Sequence, residues 1–374
     1  MRLIVALTTL LLFSLPLTAN AAQSTKAKQA LIIDYETGQV LLAKDAQERM
    51  PTSSMSKVMT MYMVFDALKN GTITLDSTFK VSDKAWRKGG SKMFVEVNKE
   101  IKVKDLIRGV IVQSGNDATI VLAEGLAPSE GAFARSMTDK AKQIGMKNSN
   151  FMNASGWPDP DHYSTAEDLT IMAKNMIEEF PEYYKYYSEK EFTYNNIKQQ
   201  NRNPLLYRNI GADGLKTGHT EAGGYGLIGT ATADNRRVIM VVNGLESEKD
   251  RAEESARLIQ WALNSFTNVD FAVAGQKISD ANVAMGQADT VGLVIKDPIR
   301  LTMPKNALQT YTVDVKYNGP LVAPVKQGDE VGVMVIKIPE MENKEYPLFA
   351  QSDVKKIGFF KGLWRKTQYM VFGK

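Results

Sequence analysis

The hydrophobic period of the chain changes near residue 268, and one fold class cannot satisfy both sides of that change. Upstream, apolar residues recur at helical spacing over 54–70, 103–112, 116–125, 132–144 and 165–179, and again in "KDRAEESARLIQWALNSF". "ALIID" and "QVLLA", joined by the turn signal "YETG", read as a hairpin, and two more strands flank Ala233-Asp234-Asn235. Gly71 is placed to cap the helix that starts near Ser54. Strands, then helices, then strands again predict an α+β domain with helices layered on an antiparallel sheet. From Asn268 to about Phe349, short alternating runs such as "TYTVDVKY" and "EVGVMVIKI" are separated by Gly, Pro, Asn and Asp, with no helical period. That texture predicts a small all-β domain of sandwich type. A length of 374 residues accommodates two such domains.

The two ends differ from the body. "MRLIVALTTLLLFSLPLTANAAQ" has a basic Arg2, an apolar run and the small-residue pattern Ala19-Asn20-Ala21, which predicts a cleaved secretory signal over 1–21. The domain of helices on a sheet is then expected over 22–267, the all-β domain over 268–352 and a basic amphipathic helix over 353–374. In that tail Ile357, Phe360, Leu363, Trp364 and Val371 fall near one helical face amid lysines and Arg365, a pattern suited to the interface of an anionic membrane. Loss of Arg2 takes the formal charge from +4 to +3, and the tail carries +6, so the body stands at −3. Nothing in that body favours a nucleic-acid partner. There is no cysteine, which excludes a disulfide framework, a catalytic thiol and thiolate-held metal. With His162 and His219 the only histidines, no metal site and no cofactor are expected.

Ser54 lies at the expected start of a helix, with Lys57 one turn on along the same face. A serine hydroxyl is a weak nucleophile until a neighbouring base takes its proton, and a lysine buried among Met55, Val58, Met59 and Met61 can supply a neutral amine. The spacing alone is weak, since Ser77–Lys80 and Ser352–Lys355 share it. Ser114-Gly115-Asn116 falls between two helical runs, where a plain loop with Asn116 or Asp117 as helix cap is the competing reading. Lys216-Thr217-Gly218 opens a strand, as an ordinary loop exit also would. The three occur in order, 60 and then 102 residues apart, and together match the signature of penicillin-binding proteins and class A β-lactamases.

On these motifs, and on "GSKMFVEVNKEIKVKDLIRGVIVQSGNDA", "DPDHYSTAEDL", "KQQNRNPLL" and "DGLKTGHTEAGGY", the chain resembles the low-molecular-mass penicillin-binding proteins, the secreted serine-type D-alanyl-D-alanine carboxypeptidases. The likeness covers the mature chain, and Gly115, where β-lactamases usually have Asp, favours the carboxypeptidases. It implies a β-lactamase/transpeptidase-like catalytic domain in which Ser54 attacks the bond between the last two D-alanines of a peptidoglycan stem pentapeptide and Lys57 takes its proton. By the same resemblance, the backbone N–H groups of Ser54 and His219 would hold the oxyanion and Ser114 would relay a proton to the leaving D-alanine. Asn116 would bind the substrate amide, and Lys216, Thr217 and Arg251 the terminal carboxylate. β-Lactams would acylate Ser54 as inhibitors.

Alternatives stay open at this point. Arg251 could be an exposed helix residue paired with Glu254 or a neighbour, and His162 reads as a structural loop residue. A β-lactamase would need a deacylating glutamate, and the one Glu-x-x-x-Asn spacing noticed mid-chain, Glu191 to Asn195, falls in a run that reads as strand. A D,D-endopeptidase is separable only by substrate, and against a penicillin-binding scaffold acting mainly through its β domain stands the intact set of motifs, since a pure binder has no need of Lys57. The expected location is the periplasmic face of a bacterial inner membrane, peripherally attached through 354–374.

Overall fold

The computed structural model describes residues 23–358, so the expected signal over 1–21 lies outside the described residues. Five strands form the main antiparallel sheet: β1 (Gln29–Asp34), β2 (Val40–Lys44), β3 (Ala212–Thr220), β4 (Gly224–Ala233) and β5 (Arg236–Leu245), in spatial order β2-β1-β5-β4-β3. Successive side chains point to opposite faces. Leu31, Ile33, Ile239 and Val241 therefore pack beneath the helices that precede β3, whereas Ile32, Met240 and Val242 pack with Leu258, Ile259 and Ala262 of the helix that follows β5. Both faces are covered, which is why "VIMVV" in β5 is apolar throughout instead of alternating.

The longer helices are α1 (Lys57–Lys69), α2 (Val103–Ile111), α3 (Asn116–Leu126), α4 (Glu130–Gln143), α5 (Ala166–Glu179) and α6 (Glu248–Ser265). Ser129, Thr165 and Ser247 cap α4, α5 and α6, each accepting a bond from the third residue on. Helix α3 has no side-chain cap, so Asn116 and Asp117 are not used as the loop-and-cap reading required. Helix α1 is buried all round over Lys57–Tyr62, with Val58, Met59, Met61, Val64 and Phe65 fully enclosed, and only Met63, Asp66, Ala67 and Lys69 in its later turns reach the surface. The expected start of this helix differs in detail: Ser53–Ser56 form a 3-10 turn and the α-helix begins at Lys57. Ser53 holds φ +51°, and the turn is pressed between two glycines. A Cβ on Gly156 would lie 1.8 Å from the Ser53 carbonyl oxygen, and one on Gly218 would lie 2.8 Å from the Thr52 oxygen.

The second domain has the expected all-β character, with one 3-10 turn at Lys305–Gln309. A six-stranded sheet faces a two-stranded ribbon, Phe266–Ala272 with Ile299–Pro304. Leu301 and Met303 of the ribbon share a core with Leu293, Met334, Ile336 and Leu348 of the sheet. The expected tail helix does not begin at 353: Val354 exchanges backbone bonds of 2.8 and 3.0 Å with Val325, and Ile357 donates to the Met285 carbonyl. The rest of that expected helix lies outside the described residues.

Arg236 ties the domains where the chain passes from one to the other. Its Nε donates to Asp34 Oδ2 at 2.7 Å, and its other nitrogens reach the carbonyls of Ala262, Leu263 and Phe266, which end α6 and open the ribbon. Asn268 Nδ2 donates to Asp34 Oδ1 from the ribbon side. Replacing Arg236 with Met leaves the fully enclosed Asp34 without its cation. Urea unfolding of Arg236→Met should show a loss of about 3–5 kcal/mol, and a loss below about 1 kcal/mol would mean the pair is dispensable.

Candidate active site

Lys57 is 1% exposed, and its amine meets three oxygens: Ser54 Oγ at 2.8 Å, Asn116 Oδ1 at 2.8 Å and the Ser155 carbonyl at 2.6 Å. Burial pulls its pKa down to about 7, the Arg202 and Lys88 charges add to the fall, and Asp117 opposes it. The orientation of the Asn116 amide is set by its Nδ2, which donates to the Gly89 carbonyl at 2.9 Å. Asn116 Oδ1 and the Ser155 carbonyl can only accept. A neutral amine has two hydrogens and one lone pair, so donating to both acceptors turns the lone pair toward the Ser54 hydroxyl. The geometry thus gives a serine with a base already aimed at its proton.

Ser114 stands where α2 gives way to α3, buried and at φ +56°. With Ser53 it makes two serines held in left-handed backbone at one site, conformations that need the surrounding fold to impose them. Asp117 shapes the far wall: its carboxylate accepts from the backbone N–H groups of Met93, Phe94 and Val95.

On β3, Lys216 and Thr217 are both buried, and the Lys216 amine donates to the Thr217 carbonyl at 3.0 Å. Burial drives the Lys216 pKa well below its usual value, with further repulsion from Lys57, Arg202 and Arg251. Arg251 is 5% exposed and pairs with Glu248 at 2.8 Å, not with Glu254, which pairs with Arg257. Its guanidinium lies 5.5 Å from the Tyr225 ring, Tyr225 stacks on His219, and its Nε has no partner among the described residues. The His219 ring itself is exposed. The site therefore gathers cations with too few anions to match them, which suits a ligand carboxylate.

Three contributors carry no readable signal in the sequence. The Ser155 carbonyl is backbone, which any residue supplies. Gly156, at φ +75°, permits the close passage of the loop against the serine turn. Arg202, which donates to Ser91 Oγ, adds charge that Lys57 and Lys216 both feel, although "KQQNRNPLL" suggested no role for it. His162 is a structural loop residue, as expected, but directly behind the Ser53–Ser56 turn. The Met152 N–H points at its Nδ1, which fixes the proton on Nε2, and that proton is donated to Ser56 Oγ at 2.8 Å. Glu191 sits on a hairpin strand paired with Lys198, and the same hairpin places Asn195 against the Phe94 carbonyl. It is no deacylating loop.

A family model described as "D-alanyl-D-alanine carboxypeptidase" matches residues 17–247, and one described as "Penicillin-binding protein 5, C-terminal domain" matches 266–356. The chain is 38% identical over 346 residues to D-alanyl-D-alanine carboxypeptidase DacA of Haemophilus influenzae, covering 90% of this chain and 88% of that protein. The crystal structure of D-alanyl-D-alanine carboxypeptidase DacD from Francisella tularensis superposes with a TM-score of 0.83 at 31% identity, over 90% of this chain and 95% of that one. Penicillin-binding protein D2 of Listeria monocytogenes, solved in its ampicillin-bound form, superposes with a TM-score of 0.59 at 29% identity, over 64% of this chain and 97% of that one. With both of its domains matched in order, the chain belongs to the D-alanyl-D-alanine carboxypeptidase family.

Proposed function

We propose that this protein is a serine D,D-carboxypeptidase that removes the terminal D-alanine from peptidoglycan stem pentapeptides. The observation that carries the reading is the buried Lys57 amine, whose two acceptors leave its lone pair for Ser54. Ser54 Oγ attacks the carbonyl of the penultimate D-alanine while Lys57 takes the hydroxyl proton. The oxyanion rests between the N–H groups of Ser54 and His219, donors that need no reorganisation as charge develops. The C–N bond then breaks, Ser114 passes a proton to the departing amine, and water later cleaves the ester to free the shortened peptide and Ser54. Asn116 keeps a second Nδ2 hydrogen for the substrate amide beside the one given to Gly89.

Lys216, Thr217 and Arg251 receive the terminal carboxylate. Burial, with Arg202 and Arg251 nearby, disfavours the protonated form of Lys216, and an arriving carboxylate stabilises that form. A peptide without a free C-terminus cannot do so, which distinguishes a chain end from a chain interior. A β-lactam presents an amide and a carboxylate at similar separation and is proposed to acylate the same serine. The exposed, Lys198-paired position of Glu191 weighs against rapid hydrolysis of that acyl-enzyme.

The tail cations Lys355, Lys356, Lys361, Arg365 and Lys366, with no acid from 354 onward, support peripheral attachment to an anionic membrane. The apolar leader supports export to the periplasmic face. The β domain then serves as a spacer between that surface and the cleft.

Purified protein should release D-alanine from a soluble stem pentapeptide, and Ser54→Ala should lower kcat/KM by about 10⁴-fold or more. Release at an unchanged rate would exclude Ser54 as nucleophile. The rate of β-lactam acylation should rise about tenfold per pH unit below 7 and level off above it, because only the deprotonated Lys57 accepts the proton. A flat profile from pH 5 to 9 would contradict this. In flotation with anionic vesicles, the full chain should float at low salt, and the triple variant Lys361→Glu, Arg365→Glu, Lys366→Glu should stay at the bottom. Equal flotation of both would remove the tail from the attachment.

A further inference from the structure

Strand β3 carries one residue more than its neighbour can match. Ala212 pairs with Ala231 of β4 and Gly214 with Thr230, so Asp213 is left over as a bulge shortly before Lys216. Beyond it the register is regular, with Lys216 opposite Ile228 and Gly218 opposite Gly226. Gly214, Lys216 and Gly218 therefore share one face of the strand. That face looks at the serine turn, since a Cβ on Gly218 would lie 3.2 Å from the Ser53 Cβ. Without the extra residue the pairing would run straight on from Ala212, and Leu215 would stand opposite Ile228 in place of Lys216. The bulge decides which side chain of β3 meets the site.

The carboxylate of Asp213 is pinned from three directions. Its Oδ1 accepts from the Tyr184 hydroxyl at 2.9 Å, the Thr230 hydroxyl at 2.7 Å and Arg237 Nη1 at 2.8 Å, while its Oδ2 accepts from Arg237 Nη2 at 2.6 Å. The donors come from separate elements: Thr230 from β4, Arg237 from β5 and Tyr184 from the short helix Pro181–Tyr184. The fork of Arg237 engages both oxygens, the strong bidentate arrangement of guanidinium and carboxylate. Burial, with the Asp213 charge next, pushes the Tyr184 pKa up, so the hydroxyl keeps the proton it donates. Gly214 completes the fit, because a Cβ there would lie 2.6 Å from the Tyr184 oxygen and push it off the carboxylate. Among the described residues, the Lys216 amine bonds to the Thr217 carbonyl and to no member of this cluster, so the clamp acts on it through the strand.

We propose that Asp213 is a positioning residue of the carboxylate site: held by Thr230, Arg237 and Tyr184, it locks the one-residue bulge that presents Lys216 and Thr217 to the C-terminal carboxylate of the substrate. The inference rests on the function proposed above, in which these two residues receive that carboxylate. Freed from its donors, the bulge relaxes along β3, and Lys216 loses its place opposite Ile228. Ser54 and Lys57 belong to other elements and keep their geometry. His219 lies beyond Gly218, where the strand is held against Thr52 and Ser53, so the oxyanion donors stay in place as well. The effect falls on ligands that carry the carboxylate.

The test uses the full mature protein and two thioesters that give the same acyl-enzyme: an acyl-D-alanyl thioglycolate, whose leaving group bears a carboxylate, and the acyl-D-alanyl methyl thioester, whose leaving group has none. In the unaltered protein, kcat/KM for the first should exceed that for the second by about tenfold or more. Asp213→Ala should cut that ratio by about tenfold while the methyl thioester changes by less than about threefold, and Asp213→Asn, which keeps an acceptor oxygen for Thr230, should fall between. Tyr184→Phe, which removes one donor and little volume, should lower the ratio by about threefold. A ratio unchanged in both Asp213→Ala and Tyr184→Phe, or an equal loss of the two substrates, would overturn the proposal, because a cluster that merely stabilises the fold cannot tell the leaving groups apart. If Asp213→Ala does not fold, Tyr184→Phe decides alone. Equal kcat/KM for the two thioesters in the unaltered protein would refute the assignment of Lys216 and Thr217 to the carboxylate and take this proposal with it.

Discussion

A lysine amine sealed from water with two fixed acceptors is the constraint around which this domain is arranged. Burying an ammonium is costly, and the cost falls if the group gives up its proton. Burial and the neighbouring cations favour that outcome, the Asp117 carboxylate opposes it, and the two acceptors fix which way the amine points. The first turns of helix α1 are enclosed on all sides, the loop at Ser155 closes over the amine with a carbonyl, and Asn116 turns its oxygen inward because Gly89 holds its nitrogen. Cations at Arg202 and Lys88 then make a charged Lys57 less favourable still. The same fold that leaves the lysine unprotonated near neutral pH also aims its lone pair at Ser54.

The close approach of β3 and the 156–162 loop to the serine turn depends on residues with no functional group. Gly218 lets the strand pass beside Thr52 and Ser53, and Gly156 lets the loop reach the Ser53 carbonyl. Behind them, His162 and Ser56 pin the turn through a neutral ring. These contacts hold Ser53 in its left-handed conformation and so set where the Ser54 side chain points. Conformational strain is concentrated at the place where reactivity is needed.

Much of this was legible in the residues, for identifiable reasons. The Ser54–Lys57 spacing recurs at Ser77–Lys80 and Ser352–Lys355, and it is the ordered company of Ser114-Gly115-Asn116 and Lys216-Thr217-Gly218 that singles it out, while the strand and helix periods of both domains follow from which faces are buried. What stayed hidden depends on tertiary contact. The Ser155 carbonyl is invisible because backbone acceptors have no residue type, and Arg202 because its charge matters only where the fold brings it. Glu248, not Glu254, pairs with Arg251, a choice that spacing alone left open. The 3-10 turn at Ser53–Ser56 replaced the expected first turn of helix because of packing against two glycines far away in sequence. Asn116 and Asp117 looked equally like caps, and only their partners across the cleft reveal that neither is one.

The most direct test of this account is the protonation of Lys57 itself, read from the ¹³Cε and ¹⁵Nζ shifts of selectively labelled lysine, assigned by comparison with Lys57→Arg. The account predicts a midpoint near 7 in the folded protein. A Lys57 that remains charged up to pH 9 would contradict the account, since its lone pair could not then be available to Ser54.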